Sequence, residues 1–88
     1  MRVKIQWDAD AWNDYIDWQT TDKSILKRIN LLIKDICRHP FDGIGKPEPL
    51  KGNLSGLWSR RINDEHRLVY LFEKETLFIF QCKGHYDD

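Results

Sequence analysis

Ile25, Leu26, Ile29, Leu32, Ile33 and Ile36 recur at intervals of three and four, with Lys23, Lys27, Arg28, Lys34 and Asp35 between them. That spacing fits one face of a helix and not a strand, whose faces alternate every second residue. A helix with one apolar face has to lay it on another apolar layer. Pro40 cannot continue the helix and biases the residue before it towards extended backbone, so the helix should end near His39. The rest of the chain must therefore supply the opposing layer.

Upstream, Val3, Ile5 and Trp7 alternate with Lys4 and Gln6, the pattern of a short strand over 3–7. Asp8 is a good N-cap, and Ala11, Trp12, Tyr15, Ile16 and Trp18 predict a first helix running to about Gln19. Thr20, Thr21 and Asp22 interrupt it, so the two helices should fold back as a hairpin. Downstream, the runs 57–62, 66–72 and 76–82 are separated by turns at 63–65 and 73–75 and predict an antiparallel meander. In the middle run Leu68, Tyr70 and Phe72 face one way and Arg67, Val69 and Leu71 the other. A strand apolar on both faces belongs at the centre of a sheet. The expected architecture is α+β in the order β-α-α-β-β-β, a small antiparallel sheet packed against a helical hairpin, with one domain over 1–88.

Composition agrees with a single core. Four Trp, four Phe and three Tyr supply the apolar area that an 88-residue chain otherwise lacks. Cys37 and Cys82 are read as free thiols of a reducing compartment. The start of the chain has no apolar run like a signal peptide, and no stretch is long enough to span a membrane, so a cytoplasmic location is expected. The formal net charge is zero, which argues against a general binder of nucleic acid. Its distribution is uneven: residues 1–22 sum to −3, and residues 43–62, with Lys46, Lys51, Arg60 and Arg61 against Glu48, sum to +3. One basic flank on a neutral protein suits a local encounter with a polyanion, although charged faces often do no more than keep a surface solvated.

Between Phe41 and Gly56 the periodicity stops, and Gly43, Gly45, Pro47, Pro49, Gly52 and Gly56 argue against a regular helix or strand throughout. A loop of this length in a small domain is commonly functional, and Leu50, Leu54 and Leu57 should anchor it. It is no phosphate cradle of the nucleotide-binding kind, because Pro47 stands where Ser or Thr should follow Gly45-Lys46. His39, His66, His85, Cys37 and Cys82 lack the spacing of a metal site, and no cofactor is expected. Glu48 sits between two prolines that set its backbone. A loop glutamate is ordinarily only solvated, but a fixed one can act as a base. Arg67, among apolar neighbours, needs an anionic partner, either an acid of the fold or a ligand phosphate. His85 and Tyr86 near the chain end are by default a solvated residue and a packing one.

Considered together these residues match one reaction. Cleaving RNA by internal attack needs a base for the 2′-OH, cations for the phosphorane and an acid for the departing 5′ oxygen, and it needs no metal. Glu48 fits the base, Arg67 with Lys46, Lys51 and Arg61 the cations, and His85 the acid, since imidazoles keep a useful protonated fraction at neutral pH. Tyr86 and Trp58 are candidates for stacking on or orienting a base.

The stretches 45–51, 54–62 and 65–70 and the terminal pair His85-Tyr86 resemble the YoeB/Txe family of toxins, a branch of the RelE-like superfamily, and the likeness covers nearly the whole chain. It implies a toxin of a type II toxin-antitoxin module that cuts mRNA in the ribosomal A site without metal, in the bacterial cytoplasm. It further implies a cognate antitoxin of the YefM/Axe kind, whose flexible acidic segment folds onto the toxin, and a homodimer. By the same resemblance Glu48 is the general base, Arg67 the phosphate-stabilising arginine, His85 the general acid and Tyr86 the terminal tyrosine, with Lys51 and Arg61 at basic positions of the site. Two features depart from that pattern: Asp87 and Asp88 follow the tyrosine, and Gly84 stands where some relatives carry a tyrosine. The rival functions are a RelE-fold gyrase poison that cuts no RNA and a non-enzymatic nucleic-acid-binding or repressor module. Either would leave Glu48 and His85 without a task.

Overall fold

The computed structural model describes residues 2–85. Strand β1 (Lys4–Trp7) leads into helix α1 (Ala9–Thr21), and helix α2 (Lys23–Arg38) follows after a single residue. Asp8 caps α1 by accepting the N–H of Asp10, and Asp22 caps α2 by accepting those of Ser24 and Ile25. The Asp22 carboxyl lies below its ordinary range, chiefly through its hydrogen bonds with the Ser24 hydroxyl and the Ile25 N–H. The stripe of α2 is the core's main helical contribution: Ile25, Ile29, Leu32 and Ile36 are buried, with Leu26 and Ile33 packed at its edges. As expected from Pro40, the helix stops at Arg38 with His39 as its C-cap.

The long connection that follows is more regular than its composition indicates. It holds a two-residue strand β2 (Glu48–Pro49) and a single 3₁₀ turn (Gly52–Leu54), and Leu50 is buried as an anchor. Strands β3 (Trp58–Arg61), β4 (Arg67–Glu73) and β5 (Thr76–Gln81) form the meander. The sheet order is β1-β5-β4-β3-β2, which puts the doubly apolar β4 in the middle. Leu68, Val69 and Tyr70 are buried there, as that pattern requires.

The sheet is mixed rather than wholly antiparallel, because β1 runs parallel to β5, with Ile5 opposite Leu77 and Trp7 opposite Ile79. Alternation assigns faces but not direction, so a strand with one buried face fits either pairing. Both helices lie on the face that carries Leu68, Tyr70, Leu77 and Ile79. Both thiols are free, and burial pushes that of Cys82 up to about 12 while its S–H donates to the Ala11 carbonyl.

Candidate active site

Pro47 and Pro49 have no N–H to give to a ladder, which suits the segment to the rim of a sheet. There β2 pairs with β3, Glu48 opposite Ser59 and Pro49 opposite Trp58. The segment is stitched on at both ends: the Arg61 N–H donates to the Gly45 carbonyl at 2.7 Å, and the Leu50 N–H to the Leu57 carbonyl at 2.9 Å. Register then decides what Glu48 meets. It shares a face with Ser59; Ser59 shares it with Arg61 two residues on; and Arg61 stands opposite Arg67. This is the face away from the helices. Glu48, Ser59, Arg61 and Arg67 line a cleft of about 350 Å³ together with Lys46 and His85.

The opposite side of β3 holds the loop in place. Arg60 is completely buried. Its Nη1 donates to Asp35 Oδ2 of α2 at 2.6 Å and to the Ile44 carbonyl at 3.1 Å, and its Nη2 donates to the carbonyls of His39 and Asp42. Its Nε donates to the Tyr70 hydroxyl, which in turn donates to the Pro40 carbonyl at 2.7 Å. One guanidinium thus fixes the segment between α2 and β2 and satisfies carbonyls that would otherwise be stranded. The Arg60 hydrogen bond is the main reason that the Asp35 carboxyl sits below its ordinary range. Gly43 is required at this junction: its φ is +115°, and an added Cβ would come within 2.1 Å of Asp35 Oδ2.

The chain end reaches the cleft by a different set of bonds. The Trp18 indole donates to the Cys82 carbonyl at 3.1 Å, fixing the point where β5 ends. Beyond it the Gly84 carbonyl accepts the Arg67 N–H at 2.9 Å and the Gln81 Nε2–H at 3.1 Å, and Gln81 also donates to the His85 carbonyl at 3.0 Å. The Gly84 N–H donates to Nδ1 of the buried His66 at 2.8 Å. Arg67 itself is anchored at Nη1 by the carbonyls of Asn63 and His66. These are neutral acceptors, which hold a guanidinium without cancelling its charge.

Five of the residues singled out from the sequence therefore meet in one cleft: Lys46, Glu48, Arg61, Arg67 and His85. Lys51 lies on the exposed shoulder just beyond β2 and is not part of the lining. Trp58 projects from the helix side of β3, where its ring packs 5.0 Å from that of Phe41, because it is one residue out of phase with Ser59. It is not brought to the cleft. Tyr86 lies outside the described residues. The basic flank also needs correction, since Arg60 faces α2 and not solvent. Ser59, His66 and Gln81 are additions. Alternation from Arg61 points to Ser59, whereas nothing local marks His66 or Gln81, whose partners lie on the tail. Among the described residues, no group of three His, Cys, Asp or Glu side chains is placed to hold a metal ion.

The two-layer fold carries a basic cleft with one carboxylate and one imidazole at its sheet rim, and comparison with known proteins places it among bacterial toxins. The sequence model of the YoeB-like toxin of bacterial type II toxin-antitoxin systems matches residues 7–86, and the chain belongs to this family. Toxin YoeB of Synechocystis is 62% identical over 84 residues, covering 96% of this chain and 98% of that protein. The structure of a YoeB dimer from Staphylococcus aureus superimposes with a TM-score of 0.91 at 48% identity, covering 98% of this chain and all (100%) of that one. A heterotetrameric YoeB-YefM toxin-antitoxin complex from the same organism gives a TM-score of 0.89 at 48% identity, with 98% and 100% coverage.

Proposed function

We propose that this toxin is a ribosome-dependent endoribonuclease that cuts mRNA in the A site by acid-base chemistry of its own side chains. The observation carrying this reading is that Glu48, Arg61, Arg67, Lys46 and His85, drawn from the loop, three strands and the tail, line one cleft. In that cleft the Glu48 carboxylate accepts the 2′-OH proton as the 2′ oxygen attacks phosphorus. The guanidiniums of Arg67 and Arg61 and the Lys46 ammonium take up the charge growing on the phosphorane oxygens. His85 gives its proton to the 5′ oxygen as the P–O5′ bond breaks, leaving a 2′,3′-cyclic phosphate and a 5′-hydroxyl. No step requires a metal. Lys51, on the exposed shoulder beyond β2, adds a cation for the substrate, and Tyr86 has the role of orienting a base. Such a small, open site relies on the ribosome to orient its substrate.

The partners follow from the relatives: a YefM-type antitoxin that neutralises the toxin and a second copy of the toxin, as in the Staphylococcus aureus assemblies. No described helix is long and apolar enough to cross a membrane, which suits a toxin acting on ribosomes in the cytoplasm.

The test is expression of Glu48→Gln, Arg67→Ala and His85→Ala, each of which should abolish growth inhibition while the protein stays folded. Purified wild type should cut mRNA on programmed ribosomes, leaving a 5′-hydroxyl, and should cut free transcripts far more slowly. Full toxicity in all three variants would instead favour a gyrase poison. Cleavage lost to a chelator on intact ribosomes and restored by a divalent ion would overturn the metal-independent mechanism.

A further inference from the structure

The tail that carries His85 is fixed at Gly84, whose φ of +78° turns the chain back towards the cleft. Three bonds hold that residue: the Arg67 N–H and the Gln81 amide donate to its carbonyl, and its own N–H donates to His66 Nδ1. The first two are bonds between groups that do not titrate. The third requires His66 to be neutral with its proton on Nε2, because an imidazolium has donors at both nitrogens. Protonation at Nδ1 would bring two N–H groups face to face at 2.8 Å, so the bond would be replaced by repulsion.

His66 is built for this contact. It is buried, with 7% of its surface exposed, and Trp18 meets its ring edge to face at 5.0 Å. Its backbone is set by the Asn63 side chain, which accepts the N–H groups of Glu65 and His66 at 2.8 Å each. The charged groups around the imidazole are mixed. Its negative neighbours are Glu65, whose Oε2 lies 3.8 Å from Nε2, and Asp22 at the cap of α2. Its positive neighbours are Arg67, the next residue along the chain, and Lys83, whose ammonium sits 5.5 Å over the Trp18 ring.

We propose that His66 is a positioning residue for the reaction, a proton-sensitive latch whose neutral imidazole holds Gly84 and thereby keeps His85 in the cleft. Protonation of His66 releases the tail. The inference rests on the ribonuclease reading only for its effect on cleavage; the latch itself is a statement about the tail.

The test pairs two substitutions with a direct view of the tail. His66→Asn places an amide oxygen near the position of Nδ1, accepts the same N–H and cannot take up a proton; His66→Phe fills the space without an acceptor. Hydrogen-exchange protection of the Gly84 amide, followed by NMR as a ratio to its intrinsic rate from about pH 5 to 8, where imidazoles change charge, reports the latch. In wild type, protection should fall as the His66 ring signals titrate. In His66→Asn it should persist to low pH, and in His66→Phe it should be absent throughout. At neutral pH His66→Phe should lose cleavage on the order of 100-fold in kcat, the scale of a slightly misplaced catalytic group, with KM unchanged, and His66→Asn should restore it. Gly84 protection that ignores the His66 titration in wild type overturns the latch, even if His66→Phe fails to fold. A freed tail with undiminished cleavage overturns the positioning role. A tail that responds as expected in a protein that cuts no RNA supports the latch and sinks the ribonuclease reading.

Discussion

Arg60 and Arg61 are neighbours on β3, and the strand's alternation sends them into opposite surroundings. The Arg60 side chain has no exposure and is matched by Asp35, three carbonyls and a tyrosine hydroxyl. The Arg61 side chain is 45% exposed at the cleft wall, and its Nη1 lies 3.9 Å from Oδ1 of the fully exposed Asp64. The same guanidinium is a structural bolt on one face and an available charge on the other. Arginine suits both tasks because its fork satisfies several acceptors at once when buried and grips a phosphate when exposed. A basic stretch in a sequence therefore overstates the charge offered to a ligand by whatever the core has used.

The difference should be measurable. Arg60→Met should lower stability to urea by about 3–5 kcal/mol, since it leaves a carboxylate and several carbonyls without their partner, whereas Arg61→Met should change it by no more than about 0.5 kcal/mol. Equal losses would break the contrast. Arg61→Ala should instead reduce cleavage on the order of 10²-fold, the cost of one charge-stabilising group, without shifting the unfolding midpoint.

Acid should act through the buried side. The Asp35 carboxyl is depressed by Arg60, so its contribution to stability is complete above the ordinary carboxylate range and is lost as pH falls through its lowered folded-state value. Asp35→Asn should accordingly be less stable at neutral pH and lose less of its remaining stability on acidification, as measured by urea midpoints across the acid range. Some acid sensitivity should remain from Asp22, which is depressed in the same direction by its capping bonds. A modest effect is expected at the tail: an added Cβ at Gly84 meets nothing within 4 Å, so Gly84→Ala should cost only the strain of a positive φ, about 1 kcal/mol. Gly84→Ala should nonetheless impair cleavage more than it impairs folding, because that strain falls on the segment holding His85.

The two helices and the meander, the Asp8 cap, the end of α2 at Pro40 and the central place of β4 could all be read from the chain, because each depends on residues within a few positions of one another. So could the identity of most cleft residues, partly from their chemistry and partly from a family resemblance. The loop was only half legible: its prolines marked Glu48 as fixed, but the pairing of β2 with β3 depends on partners nine and eleven residues away and on Arg60 holding the segment between α2 and β2.

Other features were settled only when distant segments met. The parallel alignment of β1 with β5 joins residues more than seventy positions apart, and alternation is blind to strand direction. Whether Trp58 or Ser59 faces the cleft turns on a register shift of a single residue, which would exchange every side chain between the faces. The clamp of His66 and Gln81 on Gly84 likewise exists only in the folded chain, since the tail's hydrogen-bonding partners come from the start of β4 and the end of β5. Periodicity and capping are local and can be read in one dimension; facing, burial and hydrogen-bond partnership are relations across space, decided by packing.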